Sequence, residues 1–161
     1  MVTDSGAHYV IIGHSERRAL GEDNEIVSKK VCAALKEGLH IILCIGESER
    51  DEEARYLSFL KEELFTALDG IQTKDLPKFT IAYEPIWAIG KKAADAMQPE
   101  DVHEMSLYIR KLLTEKYGKQ KALTVPVLYG GSVEPANVEA LVARKAINGF
   151  LVGHASLDPD S

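Results

Sequence analysis

Two short runs of this chain hold side chains able to move a proton. In Ile81-Ala82-Tyr83-Glu84-Pro85-Ile86-Trp87-Ala88-Ile89-Gly90, a carboxylate ends an apolar stretch, just before a loop containing proline, tryptophan and glycine. A carboxylate so placed can act as a base, and such a loop can close as a lid that excludes water. In Ile11-Ile12-Gly13-His14-Ser15-Glu16-Arg17-Arg18, an imidazole stands at the end of a second apolar stretch. Taken singly, Glu84 reads as a surface carboxylate or helix cap, and His14 as a satisfied structural histidine. The two runs together are far more specific.

The elements that must position these groups alternate along the chain. Residues 8–12 predict a short strand and 25–37 a helix whose Val27, Val31, Ala34 and Leu35 share one face before Gly38. Residues 40–45 are apolar throughout, as in a parallel strand covered on both faces. A helix follows at about 51–69 with Leu57, Leu60, Leu64 and Leu68 in one stripe, and then a third strand at 79–83. Pro99 opens the next helix, whose buried face should hold Val102, Met105, Ile109, Leu112 and Leu113. Strand four is expected from Thr124 to Tyr129, with Pro126 as an objection to a central position. A short helix with Val138, Leu141 and Val142 leads to strand five at 149–152. Alternation of this kind implies right-handed crossovers, a parallel sheet and an α/β fold in one domain spanning residues 1–161.

Sites of parallel α/β proteins lie at the C-terminal strand ends. Here those ends are Gly13-His14-Ser15-Glu16, Gly46-Glu47, Tyr83-Glu84-Pro85, Tyr129-Gly130-Gly131-Ser132 and Val152-Gly153-His154-Ala155. Glycine turns leading into a helix let backbone N–H groups approach an anion. A base, an imidazole and glycine turns suit a small phosphorylated carbonyl compound.

Composition narrows the partners. The chain has 161 residues, 45% hydrophobic and 27% charged, with a net charge of −6. That balance argues against nucleic acid or an anionic membrane as the main partner. No apolar run reaches the ~20 residues of a membrane span, and residues 1–6 do not read as a signal peptide, so the cytoplasm is the expected location. Cys32 and Cys44 read as reduced thiols, Cys44 as a small buried hydrophobe. The cysteines and five histidines lack metal-ligand spacing, so no metal is expected.

The runs GHSERR, CIGE, AYEPIWAIG and YGGSV, in that order, resemble triosephosphate isomerase from about residue 5 onward. That family is an eight-stranded (β/α) barrel, so the resemblance implies a partial barrel of five parallel strands. It also implies interconversion of dihydroxyacetone phosphate and glyceraldehyde 3-phosphate, in glycolysis and gluconeogenesis, by proton transfer without a cofactor. Glu84 would be the catalytic base. His14 would polarise the carbonyl as a neutral electrophile, an established pattern of this enzyme. Ser15 and Glu16 would support His14. Gly90, Ser132, Gly153 and His154 would offer groups to the phosphate. Pro85, Ile86 and Trp87 would start the lid, and Lys91, Lys92 and Ala93 would lie near its far end. Arg17 and Arg18 are expected to form structural or interface ion pairs, and His8, His40 and His103 to be ordinary.

The chain also departs from that pattern. A barrel of this class runs ~250 residues. The resemblance begins just before the family's fourth strand, so the first three βα units, their asparagine-x-lysine segment and the third, dimer-forming loop are expected to be missing, as is the final helix. Within the phosphate turns, the lid reads Gly90-Lys91-Lys92-Ala93 without the second glycine common in that loop, and His154 stands where a second glycine of the last turn is usual. Weak or absent activity follows for the isolated chain, because loss of one charge-stabilising donor typically costs ~10²–10³ in rate. Open apolar edges at 8–12 and 149–152 imply a homo-oligomer, although two five-stranded copies would not rebuild an eight-stranded barrel. The alternative reading is a non-catalytic oligomeric remnant with weak phosphate binding.

Overall fold

The computed structural model describes residues 3–91 and 96–157. Among these, five strands form one parallel sheet in the order β1 (Tyr9–Ile12), β2 (His40–Ile45), β3 (Phe79–Tyr83), β4 (Val127–Tyr129) and β5 (Gly149–Phe150). Sequential order with parallel pairing is the topology of an open arc of a (β/α) barrel. The intervening helices are α1 (Ser15–Ala19), α2 (Asn24–Lys36), α3 (Arg55–Ala67), α4 (Pro99–Tyr117), α5 (Lys119–Ala122) and α6 (Val138–Ala143).

Alternation along each strand divides the sheet into two faces. Ile12, Ile41, Leu43, Ile45, Phe79, Ile81, Tyr83, Val127 and Tyr129 lie on the helix side and are all buried. Against them pack Val27, Val31 and Ala34 of α2, Leu60, Leu64 and Ala67 of α3, and Val102, Met105, Ile109, Leu112 and Leu113 of α4. The opposite face is covered unevenly. Cys44 and Ala82 are fully buried near its C-terminal rim, whereas Tyr9 and Ile11 of β1 are 60% and 48% exposed.

Local chemistry sets the element ends. The Asp23 carboxylate accepts from Ile26 N–H at 2.8 Å and starts α2. Pro99 opens α4, where its missing N–H costs nothing. Helix α3 starts at Arg55, later than the expected 51, because Ala54 is left-handed (φ 55°) and the Asp51 side chain accepts from Arg55 N–H at 3.0 Å. Strand β4 is shorter than expected. Pro126 contributes only its carbonyl, which accepts from Ile81 N–H at 2.9 Å, so regular pairing starts at Val127. Strand β5 holds two residues, although Leu151 N–H still donates to Tyr129 C=O at 2.9 Å. In α6 Leu141 is buried while Val142 faces outward, 53% exposed.

Candidate active site

Strand β1 ends in a glycine turn that delivers His14 as the N-cap of α1. The imidazole Nδ1 accepts from Glu16 N–H at 3.3 Å. With Nδ1 an acceptor, the neutral ring held by this geometry carries its proton on Nε2. That nitrogen faces Glu84 Oε1 at 3.3 Å. The other carboxylate oxygen of Glu84 accepts from Ser15 N–H at 3.4 Å.

Glu84 continues β3 beyond its last paired residue, with its N–H donating to Ile45 C=O at 2.8 Å. The side chain is 3% exposed. Burial raises its pKa above the ordinary carboxylate value, opposed by His14, the Ser15 N–H and the Cys44 thiol. A carboxyl held in this way is a stronger base than one in water once it is ionised. Cys44 lies against it, its thiol pKa pushed up by burial and by the Glu84 charge. It is therefore a poor nucleophile. Gly46 must lack a side chain, because a Cβ there would stand 1.8 Å from the Glu84 carbonyl oxygen.

The start of the expected lid is tied down by a carboxylate that sequence reasoning left without a role. Glu47, buried at the end of β2, accepts from Tyr83 Oη at 2.8 Å, Trp87 Nε1 at 3.0 Å and Arg50 Nε at 3.0 Å. The Arg50 guanidinium also stands 4.9 Å from the Tyr56 ring centre and 5.3 Å from that of Trp87. The signal available in the sequence was the position of Glu47 in the CIGE strand end. A hollow of about 310 Å³, lined by Glu47, Ser48, Glu49, Asp51, Arg55, Tyr56 and Phe59, lies to one side and does not include His14 or Glu84.

The structure joins the remaining expected residues only in part. Ser132 is buried, and its hydroxyl donates to Lys91 C=O, linking the turn after β4 to the segment after Gly90. Gly90 is exposed with φ 69°. Gly153 and His154 are exposed beyond β5, where Gly153 C=O accepts from Ser156 N–H at 3.0 Å, and no hydrogen bond among the described residues joins them to His14 or Glu84. Lys92 and Ala93 lie outside the described residues. Glu16 is exposed and acts through its backbone N–H. Arg17 pairs with Glu22 at 2.7 Å and Arg18 with Glu63 at 3.2 Å. Among the described residues no cluster of three or more His, Cys, Asp or Glu could hold a metal ion. No described helix is long and apolar enough to cross a membrane.

A half-buried imidazole after β1 and a buried carboxylate after β3, in contact across the end of β2, can polarise a carbonyl and move a proton between adjacent carbons. A triosephosphate isomerase family model matches residues 1–161. Triosephosphate isomerase of Roseiflexus castenholzii is 44% identical over 163 residues, covering 100% of this chain and 63% of the relative. The Geobacter metallireducens enzyme of the same name is 44% identical over 164 residues, covering 100% of this chain and 64% of the relative. That of Thermoanaerobacter pseudethanolicus is 45% identical over 160 residues, or 98% of this chain and 63% of the relative. The chain thus spans about 63% of the length of the curated relatives it matches. With a family model matching residues 1–161, the chain belongs to the triosephosphate isomerase family.

Proposed function

We propose that this chain carries the proton-transfer site of a triosephosphate isomerase, with triose phosphate as substrate, Glu84 as base and His14 as electrophile. The observation that carries this reading is the contact between Glu84 Oε1 and His14 Nε2 at 3.3 Å, with the imidazole turned by the Glu16 N–H. A triose that displaces this contact would accept a hydrogen bond from Nε2 at its carbonyl while Glu84 takes the proton from the neighbouring carbon. The enediolate so formed is reprotonated at the other carbon by the same carboxyl, while the hydroxyl proton passes by way of the His14 imidazole from the one oxygen to the other. Ser132, Gly90, Gly153 and His154 are proposed to contact the phosphate, and Ser15 and Glu16 to hold the imidazole. The segment from Pro85 to Trp87 is proposed as the base of the lid. This chemistry requires no cofactor, and the reading includes a cytoplasmic place in glycolysis and gluconeogenesis.

Turnover by the chain alone is expected to be low. The chain spans about 63% of its relatives' length, and among the described residues no lysine or arginine is ion-paired to Glu84. The test is isomerase turnover by the purified chain beside Glu84→Gln. The proposal expects the substitution to remove at least about 10² of the rate. Equal rates would reject it. A second reading, an oligomer that binds phosphate without turnover, is favoured by the exposure of Tyr9 and Ile11 on the uncovered face.

A further inference from the structure

Behind the reacting pair lies a buried ion pair that joins its two supports. Arg18 Nε donates to the Gly13 carbonyl at 2.9 Å, the peptide immediately before His14. Its Nη1 reaches Asn24 Oδ1 of α2 at 2.7 Å and Glu63 Oε1 of α3 at 3.2 Å. The second oxygen of Glu63 accepts from Gly46 N–H at 2.9 Å. Gly46 in turn is pressed against the Glu84 backbone so closely that no side chain fits between them. A continuous path therefore runs from the turn holding His14, through Arg18 and Glu63, to the strand end holding Glu84.

This path is unusual for its burial. Glu63 is 1% exposed, on a helix whose buried face is otherwise apolar. The Arg18 Nη2 is buried without a hydrogen-bond partner. Buried ion pairs contribute little net stability compared with well-packed apolar groups, so stability alone does not account for this one. What the pair does supply is direction: a planar guanidinium with fixed donor angles, and a carboxylate whose two oxygens face different elements.

We infer that Arg18 and Glu63 are positioning residues that set the turn carrying His14 against the strand end carrying Glu84. The inference rests on the reaction proposed above for His14 and Glu84. Neither Arg18 nor Glu63 has a hydrogen bond to the reacting pair; they act through Gly13 and Gly46. The groups facing Glu63 are Arg18 from α1, the Gly46 N–H and Glu47 at the end of β2, and Glu62 on its own helix. Burial, which raises the Glu63 pKa to about 7, makes the charge of the pair adjustable near neutrality.

The test reads the coupling without substrate. In ¹H–¹⁵N spectra, the Gly46 amide reports Glu63 and the Ser15 amide reports Glu84. Glu63→Gln, which keeps an acceptor and removes the charge, should move both amides by more than any amide of α4, while Glu139→Gln, at an exposed acid of α6, moves neither. Movement at Gly46 with Ser15 in place would overturn the inference. Should Glu63→Gln fail to fold, Arg18→Lys keeps the cation, loses the fork and is read in the same way. The unmodified chain, titrated across pH 7, gives a third reading. A step at the Gly46 amide shared in midpoint by the Gly13 carbonyl carbon supports the pair, and one that Gly13 ignores overturns it. In turnover, Glu63→Gln should lower kcat about 10–100-fold with KM unchanged, the signature of misplaced reacting groups. Because the spectra need no turnover, failure of the coupling is separable from failure of the reaction, which shows as Glu84-independent rates in the unmodified chain.

Discussion

Glu84 and Glu63 are both carboxylates drawn out of water, and both have pKa values raised chiefly by burial. In Glu84 the groups opposing that rise are His14, the Ser15 N–H and the Cys44 thiol. In Glu63 the opposition comes from Arg18 and the Gly46 N–H, and the pKa stands at about 7. An unfolded glutamate titrates near ~4.3. Between that value and about 7 the folded chain holds the Glu63 proton that the unfolded chain has released. The stabilising contribution is therefore complete below the unfolded value and lost as pH rises through the folded one. The thermal midpoint should fall between pH 5 and pH 8, and the fall should be shallower in Glu63→Gln. Calorimetry at matched ionic strength checks this, and parallel slopes for the two proteins would contradict it.

At the scale of elements, the site stands where it does because α2, α3 and α4 clamp one face of the sheet. Leu64 is fully buried in α3 within that packing, so Leu64→Ala should cost about 2–5 kcal/mol in denaturant unfolding. Leu107, on the outer side of α4 and 52% exposed, should change stability by less than about 0.5 kcal/mol as Leu107→Ala. Comparable losses at both positions would mean that the helix faces are misassigned. Strands β2 and β3 and the buried face of α4 were legible in the sequence, because continuous apolar runs and helical spacing leave few other arrangements. The ends of β4 and β5 were less so, since Pro126 withholds an N–H and pairing past Phe150 depends on a neighbouring strand. His14 and Glu84 were legible from their motifs. The Glu47 cluster joins residues 36 and 40 positions apart, and Glu63, beside Glu62, reads as a solvent-facing acid until α3 is docked on β2. Contacts of that kind arise from tertiary packing, and no local pattern encodes them.

For the whole molecule, the five-stranded sheet leaves Tyr9 and Ile11 exposed on the face opposite its helices. Apolar surface beside an unpaired strand edge favours association. The proposed homo-oligomer should show as a solution mass of at least twice 17.7 kDa in light scattering, and a stable monomer at all concentrations would contradict it. Association could complete the surroundings of the site, but the proton transfer itself is assigned to one carboxylate of this chain. The most direct measurement is therefore exchange of carbon-bound hydrogen of triose phosphate in D₂O, followed by NMR with the unmodified chain and with Glu84→Gln. The account predicts deuterium at the carbon beside the carbonyl, entering faster than in buffer, with about a 10²-fold or greater loss of that acceleration in the variant. Equal exchange in the two proteins would contradict the assignment of Glu84 as the base.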